Sequence, residues 1–369
     1  LRRSVERKYE GRLSGQHESQ AGFSMKSVVQ TVLVLHQEIA DGTRLDELDT
    51  LVEVEQVSAA LKELGWNVAT LATGLDLATT LASIRRINPA CVFNLVESLG
   101  GEGRLIHFVP ALLQAYGIPF TGCSSDAVYL SSHKLLAKAL MRQCGIATPA
   151  WFSRTSSDLW DAEARVENGA KADARWQWIA KSVWEHASFG LDDGCVVDSV
   201  AAAHARIEAS TRLHGGDWFA EHYIAGREFN ISVLEQDGSP QILPMAEMTF
   251  VDYPADKPKI VGYAAKWDEN AVEFHATCRE FPVLSRGLAN ALQQATLNCW
   301  KGFGLSGYAR VDFRVDDAGK PWVLEVNANP CIAADAGFVA AAQRAGIALE
   351  QVVQHIVQAA LPKARKRQN

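Results

Sequence analysis

Apolar residues recur along this chain with two periods, and the periods alternate. VVQTVLVLH (28–36) is a β-branched run that reads as a buried parallel strand. Over 49–64, Leu51, Val54, Val57, Leu61 and Leu64 fall three or four apart, forming one face of a helix that Gly65 ends. WNVATL (66–71) returns as a strand, 76–86 as a helix and ACVFNLV (90–96) as another buried strand. Such a βαβ series predicts an open parallel sheet. A helix over 104–116 and a short strand at IPFTG (118–122) follow. Ser131 or Ser132 can then cap a helix through Gln143, with Gly145 beyond its end.

After ATPAWF the pattern predicts a small α+β unit. Its elements are a helix near 156–167, the strand WQWIAKSVW, the loop EHASFGLDDG, the strand CVVDSV, a helix over 200–213 and the strand DWFAEHYI. REFNISVLEQDGSPQILPMAEMTF reads as two strands about a DGS turn. A lysine-bearing loop, a long helix over 282–303, a second hairpin at YARVDFRVDDAGKPWVLEVN and two short helices complete the chain. The expected division is an α/β domain at 25–130 and two α+β units at 131–224 and 225–362. Residues 1–24 lack an apolar period and read as a disordered or non-native extension, and 363–369 as a solvated basic tail. The basic start has no apolar run behind it, which argues against a secretory leader.

Composition narrows the classes. With 369 residues, 48% hydrophobic and 21% charged, the chain is globular and long enough for two or three domains. Lysine and arginine number 36 against 43 acids, a net charge of −7 that gives no general attraction to nucleic acid or anionic membrane. No apolar run approaches the roughly 20 residues that span a bilayer. Seven scattered cysteines without a CxxC pair suit a reducing compartment, hence the cytoplasm, and offer no zinc or disulfide framework.

The chemistry concentrates in the second hairpin. Arg310 and Asp312 share one strand face, as do Glu325 and Asn327 on the returning strand. Two carboxylates and an amide oxygen converging there suit Mg²⁺ or Mn²⁺ holding phosphates, with Arg310 beside them to clamp an oxyanion. The apolar Val311, Phe313, Val323, Leu324 and Val326 are expected on the packed face. Lys134 begins the capped helix, and Lys181 closes an apolar strand before a loop carrying Ser188 and Gly190, a setting that suits a triphosphate. Glu221, His222, Tyr223 and Ile224 end another strand. Glu228 follows, so backbone groups could read an adenine while a carboxylate takes the ribose.

In this order the segments resemble the ATP-grasp superfamily, and within it the D-alanine–D-alanine ligase branch. ARVDFRV…WVLEVNANP is similar to that family's G-R-(I/V)-D…E-(V/A)-N-x-x-P. GIPFTGCSSDAVYLSSHKLLAKALMRQCGIATPAW is similar to its G-(I/L)-P-(F/Y)-T-G…DK…K stretch, and AEHYIAGREFNISVL to (I/V)-E-x-(F/Y)-(I/L)-x-G-x-E. The resemblance runs from about Val28 to Leu361 and implies an ATP-grasp fold of three domains. It implies that Lys134 and Lys181 bind ATP phosphates and that Glu221, His222, Tyr223 and Ile224 meet the adenine. Glu228 would hold the ribose and Lys266 the transferred phosphate. Asp312, Glu325 and Asn327 would ligate two Mg²⁺ ions, and Arg310 would stabilise a tetrahedral intermediate. Substrates would be ATP, a small carboxylate and a small amine, joined through an acyl phosphate. A homodimer is the family expectation.

The departures fall on the amino-acid side. The family loop K-P-x-x-E-G-S-S-(V/I)-G reads KSVWEHASFG, which puts Ala187 where its first serine stands. Trp267 takes the place of a tyrosine, Val96 of a histidine and Ala336 of a small polar residue. These changes imply substrates other than D-alanine, one of them with a bulkier apolar part that could pack on Trp267. If D-alanine were nevertheless a good substrate, Glu47 and Asp49 would be the place to look for the lost hydrogen bonds, although acids are favoured at a helix start in any case. An ATP-binding regulatory protein without turnover and a ligase acting on a peptide terminus remain open on these residues.

Overall fold

The computed structural model describes residues 30–39, 45–153, 176–254 and 257–361. The helix expected near 156–167 and both tails lie outside them. Strands β1 (Thr31–Gln37), β2 (Asn67–Thr73) and β3 (Cys91–Asn94) form a parallel sheet of order β2-β1-β3. Val32 to Leu35 of β1 are fully buried because helices cover both faces. Helix α1 (Leu45–Glu63) supplies one cover through Val57, Ala60 and Leu61, and α2 (Leu77–Ile87), capped by Asp76, supplies the other through Leu81 and Ile84. The expected parallel βαβ unit is present.

The 104–116 segment is divided between a 3₁₀ turn at Gly103–Leu105 and α3 (Phe108–Ala115). IPFTG contributes only a bridge between Phe120 and Val92. The helix expected to start at Ser131 or Ser132 starts later. Helix α4 (Ser125–Ser132) precedes it, and His133, held extended, accepts the Leu136 amide at the head of α5 (Lys134–Gln143). That break leaves Lys134 at the first position of α5.

An antiparallel sheet of order β4-β7-β5-β6 comprises β4 (Trp151–Ser153), β5 (Trp178–Ser182), β6 (Val196–Val197) and β7 (Trp218–His222). Helix α6 (Val200–His214) packs on it through Ala203 and Ile207 against Trp178 and Trp218. The third sheet joins β8 (Arg227–Gln236), β9 (Ser239–Ile242), β10 (Ala246–Phe250), β11 (Thr277–Glu280), β12 (Tyr308–Val315) and β13 (Pro321–Asn327). The DGS turn is real, with Asp237 and Gly238 at φ 52° and 81° as a two-residue hairpin needs. A third strand, β10, follows the two expected ones and pairs with β8. Helices α7 (Tyr263–Trp267) and α8 (Val272–Ala276) lie between β10 and β11. Helix α9 (Arg286–Phe303) buries Leu292, Cys299 and Phe303 against this sheet.

The last helices, α10 (Gly337–Arg344) and α11 (Leu349–Ala360), return to the first sheet. Phe338, Val353, Ile356 and Val357 share one buried cluster with Val32, Val34, Val57 and Leu61. Tyr308 lies at the junction, its ring edge-on to Phe338 and its hydroxyl donating to Asn329 Oδ1 at 2.8 Å. Asn329 in turn donates to the Val96 carbonyl at 3.3 Å, tying the third sheet to the first. Replacing Tyr308 by Phe keeps the ring but strips a buried amide oxygen of its donor. Stability should fall by about 1–3 kcal/mol, read as a lower urea midpoint with an unchanged slope. A midpoint equal to wild type would show that Asn329 needs no such partner.

Candidate active site

The three sheets face a cleft of about 660 Å³. All fourteen residues singled out in the sequence except Gly190 line it, and Gly190 lies in the loop at its edge. The cleft therefore brings together side chains from segments almost two hundred residues apart.

Helix α5 and strands β5 and β7 supply the first charge cluster. Glu221 is 1% exposed and lies between two ammonium groups, Lys138 at 2.5 Å and Lys181 at 2.6 Å. Burial alone would raise the Glu221 carboxyl; Lys138 and Lys181 outweigh it and hold the group below the usual carboxylate range. Glu221 likewise overrides burial at Lys181 and holds that ammonium above its ordinary value. Lys138, fully enclosed, also donates to Thr148 Oγ1 at 2.8 Å, while Lys181 keeps partial exposure toward the cleft. The spacing of α5 puts Lys134 and Lys138 one turn apart on its inner face. Lys138 was not singled out, although it stands four residues after Lys134, at the second lysine of the DK…K stretch.

The loop after β5 carries Ser188 and Gly190. Ser188 donates to the Val261 carbonyl at 2.7 Å, and Lys134 Nζ donates to the Glu185 carbonyl at 2.7 Å. Gly190 has φ 68°, and a Cβ there would lie 2.4 Å from the Trp218 ring, so only glycine fits. At the end of β7, His222 stacks on Trp176 at 4.3 Å, the Tyr223 hydroxyl donates to the Lys259 carbonyl and Ile224 is buried. Glu228 meets the guanidinium of buried Arg314 at 3.1 Å, a partner that spacing did not reveal.

The β12–β13 hairpin has the expected register. Asp312 pairs with Glu325 and Arg310 with Asn327. Arg310 grips Asp312 through two bonds of 2.8 and 2.9 Å, and Asn230 of β8 donates to the same carboxylate at 2.9 Å. Asn327 accepts the Asn329 amide at 3.0 Å. Glu325 lies 2.7 Å from His186 Nδ1 and 3.7 Å from Lys134 Nζ. Burial would raise its carboxyl, but Lys134 and His186 hold it well below the usual range. A bulge beside Asp312 leaves Leu324 without a partner in the register and turns it to the cleft rather than to the packed face expected for it. Asp312, Glu325 and Asn327 offer only oxygen donors on one face, a set that fits Mg²⁺. No group of three or more His, Cys, Asp or Glu converges on a metal position among the described residues; here an amide oxygen makes up the set. Lys266, on α7, is exposed and lines the same cleft.

The opposite end of the cleft is more polar than the sequence implied. Val96 does not face it; the side chain is fully buried beside Leu33 and Val109. Trp267 lines the cleft beside the loop after β5, its indole N–H donating to the Ala187 carbonyl at 3.3 Å. Gln37, Asp49, Glu53, Glu97 and Arg279 line it too. Asp49, the acid suspected at the helix start, accepts the Cys331 thiol at 3.5 Å. Glu53 accepts the Ile332 amide at 2.7 Å, and burial together with Glu97 pushes its carboxyl well above the usual range.

Comparison with known proteins identifies the family. The D-ala D-ala ligase C-terminus family matches residues 140–358. An uncharacterised protein of Sinorhizobium fredii is 30% identical over 83% of this chain and 86% of its own length. The D-alanine–D-alanine ligase of Methylococcus capsulatus is 28% identical over 86% of this chain and 93% of its own. In fold, the chain matches the crystal structure of the Bacillus anthracis D-alanine–D-alanine ligase complexed with ATP, with a TM-score of 0.67, 21% identity and coverage of 90% and 97%. The chain belongs to the D-alanine–D-alanine ligase-like branch of the ATP-grasp proteins. As resembled motifs implied, it has the ATP-grasp fold.

The Lys138–Glu221–Lys181 cluster makes a stability prediction. Glu221→Gln leaves the enclosed Lys138 ammonium, and the partly exposed one of Lys181, without their carboxylate and should cost about 3–5 kcal/mol. Because the folded carboxyl is depressed, its contribution is complete above the ordinary carboxylate value and lost as pH falls through the lowered one. Wild type should therefore lose more Tm between pH 7 and about pH 3 than Glu221→Gln does. Equal acid slopes in the two proteins would refute the pairing. Adding Lys138→Met to Glu221→Gln should recover part of the loss.

Proposed function

We propose that this chain is an ATP-dependent carboxylate–amine ligase that joins small molecules other than D-alanine through an acyl phosphate. The observation that carries the reading is the pair of facing charge sets in one cleft. Lys134 and Lys181 stand on one side, and Asp312, Glu325, Asn327 and Arg310 stand on the other. In this reading Lys134 and Lys181 hold the triphosphate, with Ser188 and Gly190 folding the loop over it. The adenine lies by Glu221, His222, Tyr223 and Ile224, and Glu228 takes the ribose. Mg²⁺ held by Asp312, Glu325 and Asn327 would neutralise phosphate charge as the γ-phosphoryl passes to the carboxylate. Lys266 steadies the transferred phosphate. The amine then attacks the acyl carbon, phosphate leaves, and Arg310 stabilises the oxyanion formed between these events. No protein nucleophile is required. The division at 25–130, 131–224 and 225–362, and a cytoplasmic setting, belong to the same reading.

Ala187 and Ala336 supply no side-chain hydrogen bonds at the amino-acid end, and Trp267 adds an apolar wall. D-alanine alone should therefore be a poor substrate. Screening amino acids, dipeptides and amines in pairs for ADP release tests the whole reading. Turnover with a hydrophobic or larger pair is expected. D-alanyl-D-alanine formation as the best activity would overturn the substrate assignment, and no ADP from any pair would favour a protein that binds ATP without turnover.

Two substitutions separate the roles. Glu325→Gln should cut turnover by about 10² or more in a folded protein. Lys181→Ala should weaken ATP binding by roughly tenfold to a hundredfold with the fold intact, because Glu221 keeps Lys138. Equal thermal stabilisation by ATP in wild type and Lys181→Ala would remove that lysine from the nucleotide site.

A further inference from the structure

Glu325 is not the free carboxylate that the hairpin pattern suggests. His186 Nδ1 lies 2.7 Å from Glu325 Oε1, and the two side chains are 23% and 25% exposed. An ionised carboxylate only accepts, so Nδ1 carries the proton in this contact and donates it. The other ring nitrogen, Nε2, is buried and has no hydrogen-bond partner among the described residues. The imidazole is thus committed to Glu325 through one nitrogen.

The loop that carries His186 is constrained on every side. Ala187 and Ser188 adopt left-handed φ values of 57° and 63°, which residues with a Cβ avoid unless their surroundings impose them. Lys134 Nζ donates to the Glu185 carbonyl, Ser188 to Val261 and the Trp267 indole to Ala187. His186 is the side chain that carries this loop onto the oxygen-donor hairpin. The family's loop motif has glycine at that position, so the contact lies outside the pattern that identified the fold.

We propose that His186 is a positioning residue for Glu325: its N–H fixes the carboxylate so that the remaining oxygen lone pairs face the metal, and it ties the loop to metal loading. The proposal rests on the ligase reading above, in which Glu325 holds Mg²⁺. The physical ground is that each carboxylate oxygen has two acceptor directions. One direction of Oε1 goes to His186, which removes rotational freedom without consuming the others. Partners of this kind, which hold a ligating carboxylate from behind, are worth roughly tenfold to a hundredfold in metal affinity.

The test is the metal dependence of nucleotide binding, read by calorimetry with ADP and the full chain while Mg²⁺ is varied, and repeated in EDTA. In His186→Ala the Mg²⁺ concentration at half effect should rise by about tenfold or more. ADP affinity in EDTA and the Tm of the unliganded protein should stay at the wild-type values. His186→Asn keeps an N–H near the Nδ1 position and should recover most of the metal response. His186→Gln extends its amide toward the Nε2 position and should not. The Asn–Gln comparison carries the test even if the Ala variant does not fold. An unchanged Mg²⁺ midpoint in His186→Ala, or equal behaviour of Asn and Gln, overturns the proposal. An equal loss of ADP affinity in EDTA also overturns it, because that would make His186 a prop of the loop alone. A wild-type chain that binds ADP with no Mg²⁺ dependence would instead strike the metal reading of Asp312, Glu325 and Asn327.

Discussion

The Glu221 carboxylate, enclosed between Lys138 and Lys181, is the constraint on which the α5–β5–β7 wall of the cleft depends. A carboxylate at 1% exposure is tolerable only because cations surround it. Its partners come from helix α5 and strand β5, and it stands on β7, so one interaction fixes three elements. Two ammonium groups against one carboxylate leave a net positive charge. Lys138 is sealed inside and Lys181 keeps some exposure, so that excess points into the cleft. Fold stability and anion attraction are therefore two consequences of the same burial.

The opposite wall solves the inverse problem. Asp312 and Glu325 are neighbours across the β12–β13 register, and two adjacent carboxylates repel each other in a partly dry cleft. Each has its own basic partner: Arg310 grips Asp312, while His186 and Lys134 approach Glu325. These contacts fix the orientation of both groups, and those at Glu325 hold its carboxyl well below the usual range. Lys134 reaches toward both walls, donating to the loop carbonyl of Glu185 while lying near Glu325. Its position follows from the break at His133, which ends α4 and starts α5 one residue before it.

What could be read from the sequence was what period alone decides. Arg310, Asp312, Glu325 and Asn327 were placed correctly because strands alternate faces and a hairpin aligns its arms. The parallel first sheet followed from its βαβ rhythm. Partners supplied by distant segments were not readable: Lys138 for Glu221, Arg314 for Glu228, Asn230 for Asp312 and His186 for Glu325. A bulge also defeats simple alternation, as Leu324 shows, because one extra residue reverses a side chain's face. The α4–α5 break was missed because Ser132 looks like a better cap than His133, while the chain needed an extended residue one step later.

Val96 shows how composition misleads when placement is unknown. Counting Val96 among lost polar groups assumed that it faced substrate, yet its side chain packs with Leu33 and Val109 and only its carbonyl, bound to Asn329, takes part in the site's scaffold. The polarity instead comes from α1, where Asp49 and Glu53 sit four apart and so point the same way. Burial raises both carboxyls, with Asp335 adding to it at Asp49 and Glu97 at Glu53. Arg279, on β11, stands in the same cleft, and burial followed by the charge of Arg310 lowers its own pKa. Asp49 and Glu53 from α1 and Arg279 from β11 therefore line one cleft together. In the proposed reaction, which has no protein nucleophile, groups of both kinds would orient a substrate carrying an amine and a carboxylate.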